Sequence, residues 1–126
     1  MPVLTTCDVI AFASTTDLAK ARTFYADVLG LKVLEQNAYA CVFDAGGTML
    51  RITAVDAVAQ PGYTVLGWRV SDVSATVARL ESVGVVCTRY EGMEQDQHGV
   101  WTTPHGDRVA WFTDPDGNVL SLTQFR

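Results

Sequence analysis

Apolar and polar positions along the chain change period repeatedly, and the changes mark out its elements. Val9-Ile10-Ala11-Phe12-Ala13-Ser14 reads as a strand. Thr15, Thr16 and Asp17 then offer oxygens that can cap the free amides of a new helix. Leu18, Ala21, Tyr25 and Val28 fall at helical spacing on one stripe, and Gly30 stands where a helix closes through a left-handed residue. Strand-like runs follow at Leu31–Glu35, Tyr39–Phe43 and Met49–Thr53, with Asn37 and Gly46-Gly47 supplying the turns.

The same order then returns. Tyr63–Val70 reads as a strand, Ser71-Asp72 as a helix start, Val73, Val77 and Leu80 as the stripe, and Gly84 as the stop. Val85–Tyr90, Arg108–Thr113 and Val119–Gln124 are the predicted strands behind that helix, and the segment Glu91–Asp107 is predicted as a long loop. Leu50-Arg51-Ile52-Thr53 of the first copy lies over Leu120-Ser121-Leu122-Thr123 of the second. One βαβββ unit leaves a face of its sheet uncovered, and two copies side by side remove that exposure. The expected architecture is therefore α+β: two tandem βαβββ modules forming a cupped, incompletely closed mixed sheet, with helices on the convex face. Residues 1–126 are read as a single domain, with module one over about 6–54, a linker over about 55–62 and module two over about 63–125. A ferredoxin-like βαββαβ fold has too few strands after each helix.

Composition narrows the partners. A chain of 126 residues with 48% hydrophobic and 18% charged residues folds around one core. Its net charge of −5 argues against nucleic acid, which needs a basic face, and the acidity is read as solubility. Met1–Cys7 lacks the pattern of a secretion signal, and no apolar run is long enough to span a bilayer. Cys7, Cys41 and Cys87 form no paired framework, so a cytoplasmic protein with reduced thiols is expected and none reads as a nucleophile.

Two motifs carry a resemblance. The first is Asp17-Leu18 followed by Phe24-Tyr25-Ala26-Asp27-Val28-Leu29-Gly30-Leu31. The second is Gly106-Asp107-Arg108-Val109-Ala110-Trp111-Phe112 followed by Asp114-Pro115-Asp116-Gly117-Asn118. Together with the repeat, the chain resembles the vicinal oxygen chelate superfamily of glyoxalase I, extradiol dioxygenases and fosfomycin and bleomycin resistance proteins. Both motifs also have structural uses, as a helix face with its stop and as a turn. Asp114, Asp116 and Asn118 copy the opening of a calcium loop, yet Val119 stands where that loop needs glycine, so a hairpin turn is expected.

The resemblance implies a divalent ion in metal-dependent members, held from the first and last strands of each module by histidine or glutamine and by glutamate. The matching positions here are Ile10, Val65, Arg51 and Ser121. Two are alkyl, one is a fixed cation and one is a neutral hydroxyl, so no cofactor is expected there. His98 and His105 lie in the long loop near Glu94, Asp96 and Asp107, without the spacing of a metal site.

Side chains two apart on a strand share a face. The cavity-facing candidates are thus Phe12, Ser14, Met49, Arg51, Arg69 and Ser121, with Trp101 at the rim, while Asp44 can take either face. Gly67, Thr53, Val119 and Thr123 share that side, and Leu66, Trp68, Val70, Leu50, Ile52, Leu120 and Leu122 form the core side. Such a lining suits a small organic molecule with an anionic or carbonyl end, although the arginines can equally pair with acids and Trp101 can anchor its loop. The expected function is metal-free binding that sequesters or carries a small molecule; the alternative is an enzyme of glyoxalase, dioxygenase or lyase type with a displaced metal or none. No catalytic group is assigned. The resemblance also implies a homodimer.

Overall fold

A computed structural model describes residues 2–126. By contact density the chain divides into two compact units, residues 1–57 and 58–126, and the division falls inside the expected linker. No helix among the described residues is long and apolar enough to cross a membrane.

The first unit contains β1 (Ile10–Thr15), α1 (Leu18–Arg22), a π-helical continuation of α1 (Thr23–Val28), β2 (Lys32–Gln36), β3 (Ala40–Ala45) and β4 (Thr48–Ala54). Its four strands are ordered β1-β4-β3-β2. The β1–β4 pair is parallel and the other two pairs are antiparallel. The second unit contains β5 (Thr64–Arg69), α2 (Val73–Ser82), β6 (Trp101–Thr102), β7 (Arg108–Thr113) and β8 (Val119–Gln124). Its order, β5-β8-β7-β6, with β5 and β8 parallel, repeats the first sheet strand for strand. The α+β repeat is as the sequence predicts, and neither sheet closes on itself.

Both helices start in the same way. Asp17 and Asp72 sit in extended backbone, and their carboxylates accept from the Lys20 N–H at 3.1 Å and the Ala75 N–H at 3.0 Å. Each bond satisfies an amide that the first helical turn would leave bare. Helix α2 buries Val73, Val77 and Leu80, the predicted stripe. It stops at Gly84, whose φ of +87° lets the Val85 N–H return to the Leu80 carbonyl at 2.9 Å.

The first helix departs from simple α periodicity. After Arg22 its turns widen, and the Leu29 N–H reaches back to the Phe24 carbonyl at 2.9 Å. Ala21 and Tyr25 are fully buried, while Leu18 and Val28 at the ends of the predicted stripe are only half-buried. Tyr25 meets Phe24 edge-on at 5.2 Å and Phe43 of β3 at 5.7 Å, so two adjacent aromatic residues both gain contacts on the widened turn.

In each unit the helix packs against the two central strands. Phe43, Leu50 and Ile52 form the covered face of the first sheet. Phe112, Leu120, Leu122 and Ala110 form that of the second, with Trp68 stacked on Phe112 at 6.5 Å.

One predicted strand is absent. Val85–Tyr90 is extended, with Val85 and Cys87 buried on alternate positions, but it is not a sheet strand. The edge of the second sheet is instead β6, inside the segment predicted as a loop. The Gln95 amide takes the place of a ladder partner. It donates to the carbonyls of Thr88 at 3.0 Å and Gly99 at 2.8 Å, and accepts from the Tyr90 N–H at 2.7 Å. Gln95→Ala is expected to lower the unfolding free energy by about 2 kcal/mol, because three backbone groups lose their partner at once. Urea titration checks this, with faster amide exchange at Tyr90 as the local readout.

Candidate functional site

Opposite the helix, each sheet has a second face on which exposed side chains stand beside buried ones such as Val42 and Ser121, and strand register decides who stands there. In the first sheet Ile10, Met49 and Asp44 form one row, Phe12, Arg51 and Val42 the next, and Ser14, Thr53 and Ala40 the third. Phe12 is 56% exposed, Ile10 44% and Met49 39%, so apolar side chains remain uncovered on this face. Arg51 stands among them half-exposed. Among the described residues it has no hydrogen-bond or ion-pair partner; the ion pairs present are His98–Glu81 at 3.6 Å and Arg108–Asp96 at 3.5 Å. Asp44, whose side was left open by alternation, lines a depression on this same face.

In the second sheet the corresponding rows are Gly67, Ser121 and Trp111, then Arg69, Thr123, Val109 and Trp101. Trp101 belongs to strand β6, which corrects its predicted place at the rim of a loop. It lies 6.2 Å from the Trp111 ring, and Tyr90 meets Trp111 edge-on at 5.5 Å. Sequence reasoning did not put Trp111 or Tyr90 on this face. Alternation along Val109, Trp111 and Thr113 carried the signal for Trp111. Tyr90 is half-buried and follows the segment taken for a strand. Beside Trp111 the Ser121 side chain fills the space over Gly67: a Cβ on Gly67 would stand only 2.9 Å from the Ser121 Oγ. Arg69 lies over the Phe125 ring at 5.2 Å, a cation–π contact, and has no acidic partner among the described residues.

The four positions that correspond to metal ligands were tested on their chemistry. Ile10 is an alkyl group paired across from Met49, and Val65 is the extra residue of a bulge between Thr64 and Leu66. Arg51 carries a positive charge, and Ser121 offers a hydroxyl buried to 7% exposure. That donor set does not fit a divalent cation. No group of three or more histidine, cysteine, aspartate or glutamate side chains able to hold a metal occurs among the described residues.

Asp96 serves both the loop backbone and Arg108, while the His98 ring pairs with Glu81. Asp96 Oδ1 accepts from the N–H groups of His98 at 2.8 Å and Val100 at 3.0 Å. Partial burial pushes its carboxyl up, but those amide bonds, His98 and Arg108 outweigh it and hold it below the ordinary value. The His105 carbonyl accepts from the Arg126 guanidinium at 3.4 Å. Asp114 closes its turn by accepting from the Asp116 N–H at 2.9 Å, the Asn118 N–H at 3.0 Å and the Asn118 Nδ2 at 2.8 Å. With Gly117 at φ +82°, this is the expected hairpin turn.

Cys41 and Cys87 are buried and Cys7 is exposed. Burial, reinforced by Glu81, pushes the Cys87 thiol up to about 11, and burial also raises Cys41. Both are thus protonated at neutral pH and poor nucleophiles. At pH 7.5 a maleimide reagent is expected to label Cys7 within minutes and Cys41 and Cys87 only on unfolding, as peptide mass spectrometry would show.

Comparison with known proteins agrees with this architecture. The Glyoxalase/Bleomycin resistance protein/Dioxygenase superfamily model matches residues 8–122. A lactoylglutathione lyase from Agrobacterium tumefaciens is similar at 19% identity and a TM-score of 0.72, over 94% of this chain and 93% of that one. A bleomycin-binding protein complexed with bleomycin is similar at 21% identity and a TM-score of 0.72, over 96% of this chain and 100% of that one. TnmS3, an antibiotic binding protein from Streptomyces sp. CB03234, shares 28% identity and a TM-score of 0.69, over 96% of this chain and 98% of that one.

Proposed function

We propose that this chain, which belongs to the Glyoxalase/Bleomycin resistance protein/Dioxygenase superfamily, is a metal-free binding protein for a small, partly hydrophobic molecule with an anionic or carbonyl end. The observation that carries the reading is Arg51. It occupies a position where the resemblance implies a metal-binding carboxylate, and among the described residues it stands without a partner, in one row with Phe12 and Val42. A guanidinium can hold a carboxylate or carbonyl oxygen through paired hydrogen bonds, and a ligand body lying on Phe12, Ile10 and Met49 would shield those bonds from water. On the second sheet Trp101 and Trp111, with rings tilted by 31°, offer a separate aromatic surface on which a ring could stack. The likeness to an antibiotic binding protein supports sequestration or carriage over turnover.

A thermal-shift screen of aromatic, peptidic and anionic compounds tests the reading, because a ligand that binds only the folded state raises the melting temperature. Anionic aromatic compounds are expected to stabilise the protein, and Arg51→Gln to abolish the gain. The idea fails if no compound class has an effect, or if protein purified without chelators holds a stoichiometric metal ion on which binding depends. We further propose a homodimer, since both sheets end in open edges that invite pairing; a monomer by light scattering would count against it.

A further inference from the structure

We infer that the ligand is zwitterionic, with its anionic group on Arg51 and a basic nitrogen on Asp44; this rests on the binding role proposed above and adds the ligand's charge pattern. Next to the β3–β4 hairpin a depression of about 520 Å3 opens on the first sheet. Ile10, Leu34 and Met49 supply its apolar walls, and Asp8 and Asp44 its charges. Leu34 lies two residues beyond Lys32, the partner of Asp44, and so shares its side.

The Asp44 carboxylate is held in place. Its Oδ1 accepts from the Gly47 N–H at 2.7 Å, across a turn that needs φ of +69° and +95° at Gly46 and Gly47. Its Oδ2 has no partner among the described residues. Lys32 stands opposite Asp44 on β2 but is exposed, forms no ion pair with it, and does not line the depression. No lysine or arginine is among the described residues that do.

Arg51 lies two residues beyond Met49 on β4 and faces the same way. Two residues along a strand span about 7 Å. Asp44 and Arg51 are therefore diagonal neighbours on one face, with Cα positions about 7–8 Å apart, and no ion pair joins them among the described residues. Between them the floor is apolar. The complement is a molecule whose carboxylate and amine are separated by a rigid apolar spacer of about that length. A ligand with the anion alone would leave Asp44 beside its apolar body, where an unpaired charge is costly.

The probes are 4-(aminomethyl)benzoate, which has both groups on one ring, and its relatives 4-methylbenzoate and 4-methylbenzylamine, each with one. Binding is measured by calorimetry and located by NMR shifts at Ile10, Leu34 and Met49. The zwitterion is expected to bind at least tenfold more tightly than either relative. Asp44→Asn should erase its advantage over 4-methylbenzoate, and Arg51→Gln its advantage over 4-methylbenzylamine. The asparagine retains an amide oxygen for the Gly47 N–H, so the hairpin is kept, and circular dichroism confirms folding. Equal binding of zwitterion and 4-methylbenzoate, indifferent to Asp44→Asn but lost with Arg51→Gln, overturns the charge pattern and leaves the anion-binding role intact. Absence of binding by all three probes overturns the inference too, and the broader role then stands or falls on the thermal-shift screen.

Discussion

Asp114→Ala is expected to lower the unfolding free energy by about 3 kcal/mol, the largest loss from any single polar substitution considered. Asp114 is only 6% exposed, and it accepts from two backbone amides and the Asn118 side chain. Its removal leaves those donors in a buried turn without an acceptor, at roughly 1 kcal/mol or more for each. The turn also sets the entry to β8, which pairs with both β5 and β7 at the centre of the second sheet. Asp114→Asn keeps one acceptor oxygen and should lose about half as much. Guanidinium titration of the three proteins checks the order; equal stability of wild type and alanine variant would refute the argument.

Trp111→Ala is the second large effect, on binding. Trp111 stands between Tyr90 and Trp101 and opposite Ser121, so its removal opens the middle of the aromatic surface. Each aromatic contact is worth about 0.5–1.5 kcal/mol beyond simple burial. An aromatic ligand that stacks there should lose at least tenfold in affinity, while unfolding stays cooperative. Tryptophan fluorescence with the compounds that raise the melting temperature reads this directly. Unchanged affinity in the alanine variant would show that these compounds do not use the second sheet, and would leave the first sheet's reading, tested through Arg51, untouched.

Local pattern was enough for several features. Asp17 and Asp72 announced two helix starts, Gly84 announced a stop, and Asp114 to Asn118 announced a turn, because each acts through hydrogen bonds to residues a few positions away. Alternation likewise separated Leu50 and Ile52 from Arg51, since a strand's period is local geometry. The chemistry of the four metal-equivalent positions was readable for the same reason: it depends on residue type.

Other features depend on partners far along the chain. Val85–Tyr90 has the composition of a strand, yet its backbone bonds run singly to the Leu80 and Trp111 carbonyls, the Gln95 amide and the Met93 N–H rather than to a continuous ladder. Trp101 joined the sheet because β7 offered an unpaired edge. The bulges at Leu34 and Val65 insert a residue that strict alternation does not foresee.

By itself, then, the amino-acid order determined the doubled βαβββ plan, the capped helices, the buried stripes and the absence of a metal donor set at the family's positions, all of which follow from neighbours in the chain. Only the tertiary structure decided that Asp44 shares a face with Arg51 and that Trp111 meets Tyr90 and Trp101. Those juxtapositions come from register between strands, and register is set by packing and pairing energies summed over the whole sheet.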